Sequence, residues 1–150
     1  MISADALALD TSVVLRLLVQ EPKPLYQCAS IFLEERCAAG ASVLVSDLVL
    51  AEAYFALQSF YRMSKQDALR TLAAFIATPG IQVTPGAKTA LQLPNLASAN
   101  PGFVDRLIHG EAHAQGRRLI SFEKAARKLD QVIVLKPSSG SRHHLGLASS

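Results

Sequence analysis

The sequence predicts an α/β fold, a three-layer α/β/α sandwich whose central parallel sheet has about five strands. Three observations carry that prediction. Short Val/Leu/Ile runs alternate with segments of helical periodicity along the 150 residues. Strands that alternate with helices become parallel neighbours joined by right-handed crossovers. Half the residues are hydrophobic and 18% are charged, which supplies a core for one domain and argues against disorder. Aromatic residues are few, at 6% with no Trp, so Ala, Leu and Val must fill that core.

The elements follow in order. Residues 6–9 are an apolar run read as a buried strand. Asp10-Thr11-Ser12 follows, and such residues cap the free N–H groups of a helix start. The helix continues through Val13 and Leu18 until Glu21-Pro22-Lys23-Pro24 breaks it. Residues 25–39 place Cys28, Ile31, Phe32 and Cys37 at helical spacing, and Gly40 stops them. Residues 43–45 are a second strand. Ser46-Asp47 caps a helix over 48–60 that is apolar nearly all round and is therefore expected to be mostly buried. Ser64 and Asp67 open another helix, closed by Thr78-Pro79-Gly80. A third strand over 81–83, a weak helix over 87–91 and a loop over 96–102 come next. A helix over 103–115 ends at Gly116. Residues 119–120 form a fourth strand, 122–129 a short helix and 132–134 a fifth strand. The domain is read as residues 1–136. Residues 137–150, rich in Ser, Gly and His, are read as a disordered tail.

Charge and cysteines narrow the setting. Net charge is +3, and residues 101–150 hold eight of the fifteen Lys and Arg against four acids. A basic final third is compatible with a polyanionic partner and equally with a solvated helix face. The two cysteines, Cys28 and Cys37, form neither a disulfide scaffold nor a zinc pattern. A reducing, cytoplasmic compartment fits. No apolar run approaches the roughly 20 residues of a membrane span. Asp5 and Asp10 interrupt the N-terminal apolar stretch, which speaks against a secretory signal.

Several chemistries lack their signatures: there is no phosphate-binding Gly-Lys-Ser/Thr loop, no G-x-G-x-x-G and no G-x-S-x-G elbow. Asp10 has no second Asp two residues on, which disfavours an Asp-x-Asp phosphotransferase or a phosphotransfer receiver, although Lys136 follows the fifth strand. What remains is a set of acids. Asp10 closes the first strand and Glu52 lies a turn into the helix after the second. Asp105 lies early in the helix after Asn100-Pro101-Gly102, and Glu123 follows the fourth strand. Ligands of open parallel sheets bind outside the carboxyl ends of the strands. Carboxylates converging there repel one another, and a hard divalent cation such as Mg²⁺, or Mn²⁺, removes the repulsion. Taken singly, each acid also has an ordinary reading as a helix cap, an ion-pair partner or a dipole-favoured surface acid.

These residues resemble the PIN-domain ribonucleases, most strongly the VapC-like toxins of bacterial toxin–antitoxin pairs. The resemblance rests on Ala8-Leu9-Asp10-Thr11-Ser12-Val13-Val14, on Ser46-Asp47-Leu48-Val49-Leu50-Ala51-Glu52, on Gly102-Phe103-Val104-Asp105-Arg106-Leu107-Ile108 and on Gly116-Arg117-Arg118-Leu119-Ile120-Ser121-Phe122-Glu123. It spans about residues 6–135. It implies a PIN-like sandwich and an endoribonuclease that hydrolyses RNA with a metal-activated water. Asp10, Glu52, Asp105 and Glu123 would be catalytic acids and ligands of Mg²⁺ or Mn²⁺, with Ser12, Arg106 and Ser121 supporting them or the substrate. It also implies a cognate antitoxin and a homodimer. Two departures stand out. Ser12 replaces a frequent Asn, and Glu123 replaces the usual Asp of the fourth motif. The second leaves room for an alternative: a catalytically weak PIN fold that serves mainly to bind RNA or an antitoxin.

Other features are assigned more plainly. His109 and His113 share a helix face, but His-Gly-Glu-Ala-His is not H-E-x-x-H, so a surface or partly buried pair is expected rather than a zinc site. Tyr54, Phe55, Phe60 and Tyr61 are read as core or dimer surface. Tyr26, Phe32, Phe55, Phe60, Tyr61, Leu69, Leu72 and Phe75 offer more apolar surface than one small sheet needs, which points to a partner.

Overall fold

The computed structural model describes residues 3–138. The tail residues from 139 onward, including Arg142-His143-His144, lie outside the described residues.

Among the described residues five strands and six α-helices form in the expected order. β1 (Ala6–Ala8) leads into α1 (Thr11–Val19), and α2 (Lys23–Ala38) precedes β2 (Ser42–Leu44). α3 (Asp47–Ser59), α4 (Lys65–Ile76), β3 (Ile81–Gln82) and α5 (Pro85–Leu91) follow. α6 (Phe103–Ala114), β4 (Leu119–Ser121) and β5 (Val132–Val134) complete the fold. The caps are those the sequence names. Asp10, Ser46 and Ser64 each accept a backbone N–H three residues on. Thr84 does the same for α5, which begins two residues earlier than its apolar pattern suggests, with Pro85 at its start.

All strand pairs are parallel. Their hydrogen bonds join them as β1-β2-β3 and as β4-β5, rather than in one continuous five-stranded ladder. None of the strands exceeds three residues, so each ladder has few bonds with which to recruit a further neighbour. Two expected elements are tighter than the pattern suggested. The loop over 96–102 contains a 3₁₀ turn, Leu96–Ser98, and the expected helix over 122–129 is a 3₁₀ segment, Lys124–Lys128.

The core lies among α1, α3, α4, α5 and α6. Val14, Leu50, Leu57 and Leu72 are fully buried, and Phe103 nearly so. α5 and α6 approach closely through Gly86 and Gly110, where a Cβ on either would meet the other's Cα at 3.2 Å. α3 departs from its expected burial. Leu50, Ala53, Tyr54 and Leu57 face the core, but Leu48 and Phe55 are more than half exposed. Glu52 is exposed as well. Its carboxylate, though carried on an otherwise apolar helix, therefore incurs no cost of burial. Leu69 and Leu72 are core residues rather than partner surface, while Phe32, Phe55 and Phe60 stay exposed.

Candidate active site

Asp10 stands between β1 and α1. Its Oδ1 accepts the Ser12 hydroxyl at 2.7 Å and the Val13 backbone N–H at 3.0 Å. Both donors favour the ionised form. The Ser12 hydroxyl is the larger influence, followed by the Val13 amide, and together they hold the Asp10 carboxyl below the ordinary aspartate range. Ser12 thus does locally what a carboxamide at that position would do.

Asp105 is an exposed residue in the first turn of α6, where the helix dipole favours negative charge. That turn is fixed from two sides. Phe103 is buried edge-on against Tyr54, with ring centroids 5.2 Å apart. Arg106 Nε donates to the Pro101 carbonyl at 2.8 Å. Arg106 therefore braces the loop before the helix instead of neutralising an acid.

Glu123 follows β4 and sits at the N-cap position of the 3₁₀ segment without a side-chain capping bond. Its backbone N–H donates to Ser121 Oγ at 2.9 Å. The Ser121 hydroxyl so fixes the backbone of Glu123 and leaves the carboxylate exposed.

Asp105, Ser121 and Glu123 line one cleft of about 150 Å³, walled also by Asn100, Pro101 and Ala126. Asp10, Ser12 and Glu52 are not part of that lining. Asp10 caps α1 and Glu52 lies on α3, and these two helices pack against each other. Among the described residues no three His, Cys, Asp or Glu side chains form one metal-holding group. His109 and His113 stack with ring centroids 5.9 Å apart, and His109 Nε2 is tied to the Asp130 carbonyl at 2.6 Å. They line a larger groove of about 620 Å³ between α5 and α6, with Asp47 and Arg106.

The PIN domain family model matches residues 7–132. The chain belongs to the PIN domain family. A solved structure, VapBC2 from Rickettsia felis bound to a DNA fragment from their promoter, is similar to this PIN domain over 87% of this chain and 97% of that chain. Identity is 15% and the TM-score is 0.37. No curated protein matches.

The donor chemistry of the PIN domain's cleft fits a hard divalent cation. Asp105 and Glu123 offer only oxygen, and neither carboxylate is engaged by another side chain among the described residues. Mg²⁺ is commonly held by one or two carboxylates and keeps several waters, and a cleft of about 150 Å³ admits several waters. Phe122, which the sequence reading set at the start of a short helix, is 72% exposed between Ser121 and Glu123 and is not part of the cleft lining. Only the run of cations that follows it, Lys124, Arg127 and Lys128, hinted at a surface role.

Proposed function

We propose that this PIN domain is a divalent-metal-dependent endoribonuclease, the toxin of a VapC-like toxin–antitoxin pair acting in the cytoplasm. The observation that carries the reading is the cleft in which Asp105 and Glu123 stand exposed and unpaired beside the basic segment Lys124–Lys128. Asp105 and Glu123 would hold Mg²⁺ or Mn²⁺, with Asp10 and Glu52 contributing from α1 and α3. A bound cation supplies activation of water and charge neutralisation for an in-line displacement at phosphorus. The chain's own residues do the rest. The Ser12 hydroxyl favours the ionised form of Asp10, Ser121 fixes the Glu123 backbone, and Arg106 holds the loop that places Asp105.

Leu48, Phe55 and Phe60 are each more than half exposed on or next to α3. These residues support a homodimer and an antitoxin whose amphipathic segment covers them, with a basic side chain reaching the acids. A second reading has an observation of its own. The absence of a three-acid group among the described residues favours a PIN fold that binds RNA or an antitoxin and cleaves weakly. Incubating the purified protein with a panel of structured RNAs in Mg²⁺, Mn²⁺ or EDTA separates the two. Metal-dependent cleavage supports the nuclease. Binding without cleavage in any metal supports the module.

A further inference from the structure

We infer that His109 is a positioning residue of the Asp105–Glu123 cleft: its Nε2–H grips the Asp130 carbonyl and so sets where the β4–β5 pair presents Glu123 to Asp105. This rests on the metal-dependent nuclease reading and adds a residue that fixes the geometry of that site.

The two acids come from different parts of the fold. Asp105 lies on α6, whereas Glu123 follows β4, and among the described residues the β4–β5 ladder is separate from β1-β2-β3. α6 packs against β4, so this helix is an element to which the strand pair can be fixed. His109 lies one turn beyond Asp105 on α6 and is half-buried. Its Nε2 is 2.6 Å from the Asp130 carbonyl oxygen. A carbonyl oxygen only accepts, so Nε2 carries the hydrogen and donates. One helix therefore bears both a cleft acid and the grip on the strands that carry the other.

The grip enters the strand pair at its first rung. Asp130 precedes Gln131, whose carbonyl accepts the Leu119 N–H at 3.1 Å. The pairing then runs Leu119 with Val132, Ile120 with Ile133 and Ser121 with Val134. At the far end the Leu135 N–H donates to the Ser121 carbonyl at 2.8 Å, and Ser121 Oγ accepts the Glu123 N–H at 2.9 Å. A shift of Asp130 against α6 is therefore carried along two hydrogen-bonded strands to Glu123. Ala126 and Leu129 also line the cleft, but apolar packing is non-directional and does not fix where the pair sits along the helix. Lys128 Nζ adds a tie to the Asn100 carbonyl at 3.1 Å, on a long exposed stem that loses more rotamer freedom when held. His109 is itself absent from the cleft lining. It acts through the strands and touches neither cation nor phosphate.

The test compares His109→Leu, His109→Asn and His109→Gln in the full chain. Gln carries its amide nitrogen as many bonds from Cα as imidazole carries Nε2, Asn carries it one bond nearer, and Leu has no donor. Amide hydrogen exchange in EDTA reads the grip without metal or RNA. The Leu119 and Leu135 amides should exchange about fivefold faster in His109→Leu and His109→Asn, the worth of one hydrogen bond. In His109→Gln they should exchange as in wild type. Mn²⁺ affinity should fall by about the same factor in the first two variants and return in the third. Should His109→Leu fail to fold, His109→Asn against His109→Gln decides. Unchanged exchange in His109→Leu or His109→Asn overturns the inference, whatever the RNA cleavage. Faster exchange with unmoved Mn²⁺ affinity also overturns it, in a chain whose Asp105→Asn and Glu123→Gln variants do bind Mn²⁺ more weakly, and leaves the bond merely structural. Equal Mn²⁺ affinity in wild type, Asp105→Asn and Glu123→Gln sinks the metal reading alone, and the exchange rates still decide whether His109 holds the strand pair.

Discussion

Ser12 donates its hydroxyl to Asp10 Oδ1 at 2.7 Å, and the same oxygen caps α1 through Val13. One carboxylate therefore serves as helix cap and as candidate catalytic acid. Asn is as good an N-cap as Asp, so Asp10→Asn should keep the fold while removing the negative charge. RNA cleavage and growth inhibition should fall sharply in a folded protein whose melting temperature drops only slightly. Full activity in the purified variant would remove Asp10 from the mechanism.

The same contact sets a pH dependence. The folded-state pKa of Asp10 is lowered, chiefly by the Ser12 hydroxyl and then by the Val13 amide. Its contribution to stability is therefore present above the unfolded-state pKa and is lost as pH falls through the lower folded value. Ser12→Ala should raise the Asp10 pKa toward the ordinary aspartate range, read from the carboxyl carbon shift in an NMR titration. An unmoved titration would mean that Ser12 does not hold the charge.

Glu123 is one methylene longer than the acid usual in its motif. Its backbone is held by Ser121 and its carboxylate is exposed in the cleft. Glu123→Gln should weaken metal-dependent cleavage, and Glu123→Asp should preserve or improve it. Equal rates for all three proteins would make Glu123 a surface acid and favour the weakly catalytic module.

Gly80 closes the turn from α4 to β3 with a φ of +89°, and its carbonyl accepts the Val43 N–H at 3.0 Å. An added Cβ would lie 2.6 Å from Cys37 Sγ and 3.2 Å from Cys37 Cβ. The left-handed backbone alone costs a side chain about 1–2 kcal/mol, and the crowding of Cys37 adds to it. Gly80→Ala should therefore lower unfolding free energy in urea by about 2 kcal/mol or more. An unchanged urea midpoint would show that the turn relaxes freely.

Much of the fold was legible because local signals agree with it. Asp10, Ser46 and Ser64 cap where capping residues belong, and the Val-rich runs at 43–45 and 132–134 lie in or overlap strands. The hydrogen bonding between strands was not legible, because three-residue apolar runs carry no information about which neighbour they choose. Burial on α3 was misread for a related reason. A helix apolar on all sides gives no face, so only the packing of α1 and α4 against it reveals that Leu48, Glu52 and Phe55 point outward. Asp10, Glu52 and Glu123 were singled out from their places after strands, and Asp105 from the turn that precedes its helix. Phe122 was read only as the start of a short helix, and the structure shows that its ring is exposed.

The central claim is that Asp105 and Glu123 hold a divalent cation in one cleft. Mn²⁺ binding followed by electron paramagnetic resonance tests it without RNA. The wild-type chain should take up Mn²⁺, Mg²⁺ should displace it, and Asp105→Asn and Glu123→Gln should each weaken uptake about tenfold or more, equivalent to about 1.4 kcal/mol. Asp67→Asn, on the exposed start of α4, should bind as wild type does. Equal Mn²⁺ affinity in wild type, Asp105→Asn and Glu123→Gln would contradict the claim.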